Sequence, residues 1–350
     1  MNEAHYYHID KDGTLKQVDS LEKTLEALKD GGYIWLDFHQ PQREELSQLI
    51  EPLGLHPLSI EDCIDGNQIP KIEDFPLNTF VLFNAFHTYE ETFSVSEVDA
   101  FLGQNYLVTV SNDERNNSSL LNAIRRSVEK NIESAKHGPA FLLHIVLDQI
   151  VDEKFVVIET LEEKLNTDEE LILSDLERFN PASLLRLRNE LLVVRKSLFH
   201  EREILVKICR KDSPFIPDKA IYFYRDIYDH LSKFFELTET YRDQVTSLME
   251  MYLSMLNNQM TKAANNTNIV VRRLTLISTI FMPLTLLAGI GGMSEYSMMT
   301  GPQNWRIAYP IFLLAMVVIG MVNYFLIKRM EKRREVKIKN SVNARFFSKR

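Results

Sequence analysis

The chain has 350 residues and a formal net charge of −9, with 40 basic and 49 acidic residues. This acidic balance, with no basic face ahead of the C-terminal tail, argues against nucleic-acid binding. Cys63 and Cys209 are the only cysteines and lie in unrelated contexts without a CxxC motif. A disulfide framework is therefore excluded, and a reducing compartment is indicated.

Short strands are predicted across the first third of the chain. Four segments between Tyr33 and about Val110 are rich in aromatic and β-branched residues: "YIWLDF", "TFVLFNAF", "SEVDAFLG" and "NYLVTVS". Between the first two, "QREELSQLIEPLGLHPLSIEDCIDG" has the Leu and Ile spacing and the proline breaks of two or three short helices. We therefore expect an N-terminal α/β domain with a largely antiparallel sheet over residues 1–135.

The next region is predicted to be helical and acidic. From about Gly138 apolar residues recur at spacings of three and four, with a break at Asn180 and Pro181, and we assign residues 136–215 to this region. Its acidic run "DEKFVVIETLEEKLNTDEE" is typical of a solvated helix face, and it would also concentrate cations.

A single long helix is predicted after the proline-containing loop "RKDSPFIPDK". From about Ala220 the chain has no Pro or Gly before Pro283, and one helix of that length would extend roughly 95 Å. Such a helix must bundle, most simply with copies of itself, and we interpret residues 216–273 as a cytoplasmic stalk.

Two uncharged stretches follow, at residues 274–294 and 307–327. At 1.5 Å per residue each crosses a hydrocarbon core of roughly 30 Å as a helix. We predict transmembrane helices over residues 274–293 and 307–327. A helical hairpin buried in a large soluble core is the alternative, and it requires protein on every side of the hairpin.

Basic residues flank the two predicted spans on one side. Arg272 and Arg273 precede the first span, and the tail at residues 328–350 holds ten Lys or Arg against two Glu, whereas the loop at residues 294–306 carries one acid and one base. Short Lys- and Arg-rich segments stay in the cytoplasm, so we expect a multi-pass protein of the plasma (inner) membrane with both termini cytoplasmic. The basic tail is expected to contact anionic lipid head groups.

One stripe of the first span is small or polar at nearly every step. Its members recur at alternating intervals of three and four, a heptad spacing, and we call them the seam: Asn268, Val271, Thr275, Ser278, Met282, Thr285, Gly289 and Gly292. Close packing of membrane helices explains such a stripe as well as a pore lining does. The seam continues into "NNTN", which places amides where a packed core favours Leu, and this favours a hydrated axis.

Three segments together resemble one family. They are the first span, "NTNIVVRRLTLISTIFMPLTLLAGIGGMS", and two cytoplasmic segments, "HPLSIEDCIDGNQIPKIEDF" and "FYRDIYDH". In this order, and with the two-span C-terminus, they resemble the CorA-type divalent-cation channels over roughly residues 30–330. The resemblance implies an α+β cytoplasmic domain, a long stalk helix and two transmembrane α-helices, assembled as a homopentameric, funnel-shaped channel.

The resemblance also implies roles for single residues. Magnesium or a related divalent cation would pass down its electrochemical gradient through a pore with an apolar constriction at Leu274 and Met282. Asp62 and Asp226 match carboxylates that bind a regulatory divalent cation between neighbouring subunits, with Glu61 as an accessory. The implied pore and selectivity residues are Asn268, Leu274, Met282, Thr285, Gly289, Gly292, Met293 and Ser294.

The signature of the family is altered in this chain. It reads Gly292-Met293-Ser294 where the family has Gly-Met-Asn, and Gly291 replaces a usual Tyr. Magnesium holds its water tightly, so a filter must recognise the hydrated ion through outer-shell hydrogen bonds. A Ser hydroxyl is shorter than an Asn amide and makes a wider ring, so the resemblance does not fix the ion preference.

Three functions remain open at this point. A magnesium channel gated by intracellular divalent cation is favoured, with cobalt or nickel as related cargo. A zinc transporter of the same family is disfavoured because zinc prefers His or Cys ligands and residues 231–350 contain neither. A membrane-tethered metal sensor that does not conduct is supported by Ser294 alone. An enzyme is not expected, because the chain has no phosphate-binding loop, His cluster or nucleophile motif.

Overall fold

The computed structural model describes residues 3–66, 68–89, 92–112, 118–292, 301 and 304–347. The chain divides into two compact units, one ending at Leu253 and the other beginning at Ser254.

Seven strands form one sheet within the described part of the first unit, in the order β2-β1-β3-β7-β6-β5-β4. The strands are β1 (Glu3–Ile9), β2 (Leu15–Val18), β3 (Tyr33–His39), β4 (Lys71–Asp74), β5 (Asn78–Tyr89), β6 (Thr92–Gly103) and β7 (Tyr106–Ser111). Strands β3 and β7 pair in parallel, and the other neighbours pair antiparallel. The four predicted strands and the largely antiparallel sheet are confirmed, whereas β1, β2 and β4 were not predicted.

Short helices cover one face of this sheet. They are α1 (Leu21–Ala27), a 3₁₀ turn (Leu28–Asp30), α2 (Arg43–Ser47), α3 (Ile50–Leu53) and α4 (Pro57–Asp65). Ile34, Leu36 and Phe38 of β3 share a buried core with Ile60 and Cys63 of α4. The predicted short helices between the first two predicted strands are therefore confirmed as α2, α3 and α4.

The start of α4 follows directly from its sequence. His56 is the N-cap residue, and its Nδ1 accepts a hydrogen bond from the Leu58 backbone N–H at 3.3 Å. Pro57 occupies the first helical position, where its missing N–H costs nothing. This cap fixes the direction of the helix that carries Glu61 and Asp62.

Four further helices follow the sheet in the chain: α5 (Ser118–Lys130), α6 (Ile132–Ala135), α7 (Pro139–Ser174) and α8 (Ala182–Cys209). The Tyr33 hydroxyl donates to the Ala135 carbonyl at 2.6 Å, and Asp37 pairs with Arg125 of α5. The predicted helical region and its break at Asn180 and Pro181 are confirmed.

After α8 the described chain contains two long helices, α9 (Ile221–Gly291) and α10 (Trp305–Phe347). Helix α9 has 71 residues and contains Pro283, as predicted. Each helix includes a stretch that is long and apolar enough to cross a membrane, and neither stretch is buried within the chain. A hairpin buried in a soluble core is therefore excluded for the described chain, and the predicted α+β domain, long helix and two apolar helices are confirmed.

Candidate ion pathway and regulatory metal site

The seam lies uncovered on the surface of α9. All eight of its residues are exposed, and the exposed fraction of Met282 is 70%. Leu274 itself is 63% exposed. Two shallow grooves run along this face and share Ser278 and Met282. Within one chain, no described residue closes the face that the sequence marked as a pore lining.

Helix α10 packs on the side of α9 that faces away from the seam. The half-buried residues of the apolar stretch are Leu276, Ile280, Pro283, Leu284, Leu287 and Gly291. At 100° per residue, their stripe lies roughly opposite the seam. Leu284 reaches the neighbourhood of Gly320, where a methyl group on Gly320 would lie 3.6 Å from Leu284 Cδ1.

Threonine hydroxyls on the seam have a fixed hydrogen-bond direction. Thr275 Oγ1 donates to the Val271 carbonyl at 2.9 Å, and Thr285 Oγ1 donates to the Phe281 carbonyl at 2.9 Å. Each hydroxyl thus uses its only proton within the helix and keeps its oxygen lone pairs as acceptors. The seam therefore presents acceptors to any donor on that face.

The end of the seam is only partly described. Gly292 completes the last turn of α9 with a hydrogen bond from its N–H to the Ala288 carbonyl at 3.0 Å. The predicted filter residues Met293 and Ser294 lie outside the described residues. Asn268 is exposed at the other end of the seam.

Asp62 is already engaged by a lysine of its own chain. Lys71 Nζ lies 2.7 Å from Asp62 Oδ2 and 3.1 Å from Glu73 Oε1. Burial by itself would lower the pKa of Lys71, but the hydrogen bonds to Asp62 and Glu73 outweigh it and raise the pKa. Glu61 is more exposed, and its carboxylate lies 3.8 Å from Arg43. A cation at Asp62 must therefore compete with the Lys71 ammonium.

Asp226 lies near the start of α9 and is 69% exposed at its side chain. Its carboxylate is 3.7 Å from His230 one turn later. The position of α9 here is fixed by Tyr224, whose buried hydroxyl donates to the Ala140 carbonyl at 2.7 Å.

Helix α7 brings further ionisable groups to Asp226. Burial raises the pKa of Asp148, and the charges of Asp152 and Asp226 raise it further. Burial lowers the pKa of His144 to about 4, against the opposing effect of Asp226. The carboxylates of Asp148, Asp152 and Asp226 thus repel one another where α7 meets α9.

The structure does not bring the sequence-predicted metal residues together within one chain. Among the described residues, no group of three or more His, Cys, Asp or Glu is arranged to hold a metal ion. Asp148 was not predicted, and its spacing of four from both His144 and Asp152 was the signal that one face of α7 carries these groups. The assignment of Asp62, Glu61 and Asp226 to a shared site thus stays a prediction about neighbouring subunits.

The family profile described as "CorA-like Mg2+ transporter protein" matches residues 30–329. The chain belongs to the CorA family. The cobalt/magnesium transport protein CorA of Thermotoga maritima is 31% identical over 332 residues, which cover 92% of this chain and 90% of that protein. The resemblance stated from the sequence is therefore confirmed, and this CorA-family member is a metal-ion transporter by relationship.

Solved structures share the fold with this CorA-family chain. The CorA magnesium transporter from Methanocaldococcus jannaschii superposes with a TM-score of 0.66 at 26% identity, covering 93% of this chain and 97% of that one. The ZntB cytoplasmic domain from Vibrio parahaemolyticus gives a TM-score of 0.56 at 12% identity, covering 73% of this chain and 98% of that one, and shows a common fold alone. The named CorA relatives are transporters, in agreement with the expectation that the chain is not an enzyme.

Proposed function

We propose that this protein is a subunit of a homopentameric channel for divalent cations, with magnesium as the main cargo and cobalt or nickel as related ones. The first apolar stretch, at residues 274–293, would line the pore, and residues 307–327 would form the outer span. Residues 1–135, 136–215 and 216–273 would form the cytoplasmic α/β, acidic and stalk parts.

One observation carries this proposal: the seam is exposed on the face of α9 opposite α10. A row of small and polar groups in a membrane is stable only against protein or water. Copies related by a rotation axis would bring identical seams face to face and enclose such an axis. Helix α10 would then stand behind each pore helix, towards the lipid.

The chemistry of the seam suits a hydrated cation. Water bound to a divalent cation directs its protons outward, so the surrounding wall must supply acceptors. Thr275 and Thr285 have this property because their own protons are used within α9. Rings of Leu274 and Met282 would make apolar constrictions that can dewet and close the pathway.

The driving force needs no other energy source. An ion with two charges gains roughly 4.6 kcal/mol in crossing 100 mV towards a negative interior. The orientation with both termini in the cytoplasm follows from the basic flanks, and the tail at residues 328–350 would lie near anionic head groups.

Regulation would use the carboxylates of the cytoplasmic unit. Carboxylate oxygens are the ligands that magnesium prefers, and the surface around Asp226 and Asp148 is acidic enough to favour a cation. Asp62, with Glu61 as an accessory, would face Asp226 across a subunit boundary. Occupancy would hold neighbouring subunits together, and loss of the ion would let the like charges separate them.

Cation uptake by proteoliposomes tests this function. Wild type should take up magnesium under an inside-negative potential, and Ser294→Asn should increase its preference for magnesium over cobalt, nickel and zinc. Preferred uptake of zinc would favour the zinc transporter. A pentamer that passes no divalent cation, and stays silent as Ser294→Asn, would leave the membrane-tethered sensor.

A further inference from the structure

The last turn of α9 is intrinsically weak. Gly289, Gly291 and Gly292 occupy three of four consecutive positions. Each glycine inside a helix costs roughly 0.5–1 kcal/mol relative to alanine, because it loses more backbone freedom on folding. The order of this turn therefore depends on contacts from outside the helix.

Phe312 of α10 supplies such a contact. A methyl group on Gly291 would lie 2.7 Å from Phe312 Cζ, 3.1 Å from Cε1 and 3.2 Å from Cε2. These three atoms form the far edge of the ring, so the ring points end-on at the backbone of Gly291. Gly291 does not have a positive φ, so space and not backbone conformation explains the glycine.

Other glycines of the two helices do not share this crowding. A methyl group on Gly289 would meet nothing within 4 Å, and one on Gly320 would make an ordinary contact of 3.6 Å with Leu284. A methyl group on Gly292 would meet backbone only, the Ala288 carbonyl at 3.3 Å, so among these described glycines Gly291 alone lies this close to a side chain.

We propose that Phe312 is a positioning residue for the ion pathway, which acts by seating its ring on Gly291 and fixing the last turn of α9 against α10. This inference rests on the proposed function, since the turn matters for transport only if α9 lines the pathway. Gly291 stands two residues from Gly289 on the seam, roughly 200° around the helix. The ring therefore supports the turn from behind and does not enter the pathway.

The contact between Phe312 and Gly291 would affect which ion the pathway selects. Gly292 of the seam follows Gly291 directly, and Met293 and Ser294 come next in the sequence. A filter that reads a hydrated ion needs its groups held to a fraction of an ångström, so a shift of the preceding turn changes ion preference as well as rate.

A double-mutant cycle tests the role of Phe312. The variants Gly291→Ala, Phe312→Ala, the double variant and the matched control Gly320→Ala are reconstituted as assembled protein. Rates of magnesium and cobalt uptake are then measured under one membrane potential. Gly291→Ala should slow magnesium uptake about fivefold or more and change the magnesium-to-cobalt ratio. The double variant should recover to within about twofold of Phe312→Ala, because the colliding ring edge is gone, and Gly320→Ala should match wild type.

The outcomes separate this role from the proposed function. A silent wild type would overturn the proposed function and this role with it. A conducting wild type whose Gly291→Ala variant keeps both rate and ratio would overturn this role alone. A Gly291→Ala defect that Phe312→Ala does not relieve would also overturn this role. The same holds if Gly291→Ala only lowers assembly and thermal stability, while the magnesium-to-cobalt ratio of the remaining channels stays unchanged.

Discussion

Lys154 of α7 and Glu201 of α8 form an ion pair that is fully excluded from solvent, with Nζ and Oε2 2.5 Å apart. The Lys154 ammonium also lies 5.2 Å and 5.0 Å from the ring centroids of Phe83 and Phe86. The other oxygen of Glu201 accepts from the Asn84 backbone N–H at 3.0 Å. Burial lowers the pKa of Lys154, and the charge of Glu201 opposes this effect. The pair thus ties both helices to β5.

Removing one partner of this pair should strongly destabilise the protein. Lys154→Met leaves the Glu201 carboxylate buried without a counter-charge, which costs about 3–5 kcal/mol. Lys154→Met combined with Glu201→Leu should cost less than Lys154→Met alone. Urea unfolding of the detergent-solubilised protein, followed through the fluorescence of buried Trp35, measures the difference. If the double variant loses as much free energy of unfolding as the two single variants together, the two side chains are not coupled as the structure indicates.

Asp99 should make stability depend on pH. It is fully buried, and burial raises its pKa to about 8, with a further contribution from Glu97. Between about pH 4 and pH 8 the native state keeps this proton and the unfolded state does not, so stability falls as pH rises through that window. The loss is at most roughly 5 kcal/mol.

Asp99→Asn tests this dependence because the amide cannot ionise. Its thermal midpoint should exceed that of wild type at pH 8 and converge with it near pH 4. Asp65→Asn, on the exposed end of α4, controls for the loss of one acidic side chain. Parallel midpoint-against-pH curves for wild type and Asp99→Asn would show that Asp99 does not titrate in this window.

Lys71 should weaken binding of the regulatory cation. Its ammonium lies 2.7 Å from the Asp62 carboxylate, so Lys71→Met should free that carboxylate and lower the magnesium concentration that protects the first unit from protease. A partly exposed pair is worth up to about 1 kcal/mol, which corresponds to a shift of roughly fivefold. Asp62→Ala and Asp226→Ala should each abolish the protection.

Lys207→Met is the matched control for Lys71. Lys207 pairs with Asp74 at 2.6 Å and has a similar exposed fraction, 33% against 31%. The control should leave the magnesium dependence of protease protection unchanged. Persistent, unshifted protection in Asp62→Ala and Asp226→Ala would remove these carboxylates from the sensor and direct attention to the acidic face of α7.

The predicted topology places Asn304 outside the cell and Gln259 in the cytoplasm. Both residues are exposed, so cysteines introduced there are accessible to reagents. An impermeant thiol reagent applied to intact cells should modify Asn304→Cys and spare Gln259→Cys until the membrane is opened. Labelling of Gln259→Cys from outside would reverse the orientation inferred from the basic flanks.

The sequence predicted those elements whose signal is local. Helix α9 was predictable from its long run without Pro or Gly, and β5 and β6 from aromatic and β-branched residues. Strand β4, "KIED", was missed because a charged edge strand lacks an apolar face, and charge on an edge limits unwanted pairing. The hairpin of β1 and β2 was missed because its Tyr and His residues mask the alternation.

In the candidate site, too, only the features with a local sequence signal were predictable. The seam was predictable because it is a periodicity within one helix. The pairing of Asp62 with Lys71, the approach of Asp148 to Asp226 and the seating of Phe312 on Gly291 each join separate elements. No local pattern encodes such contacts, since they depend on how the helices pack.

Cation uptake by Thr285→Val tests whether the exposed seam of α9 carries the ion. The isosteric change removes the acceptor oxygen, and the matched control Thr246→Val removes a hydroxyl that makes the same bond to its own helix, to the Arg242 carbonyl at 3.1 Å, away from the seam. One lost hydrogen bond of about 1.4 kcal/mol predicts a tenfold slower magnesium uptake for Thr285→Val, with Thr246→Val close to wild type. Equal rates for Thr285→Val and wild type, in assembled and conducting protein, would contradict the claim.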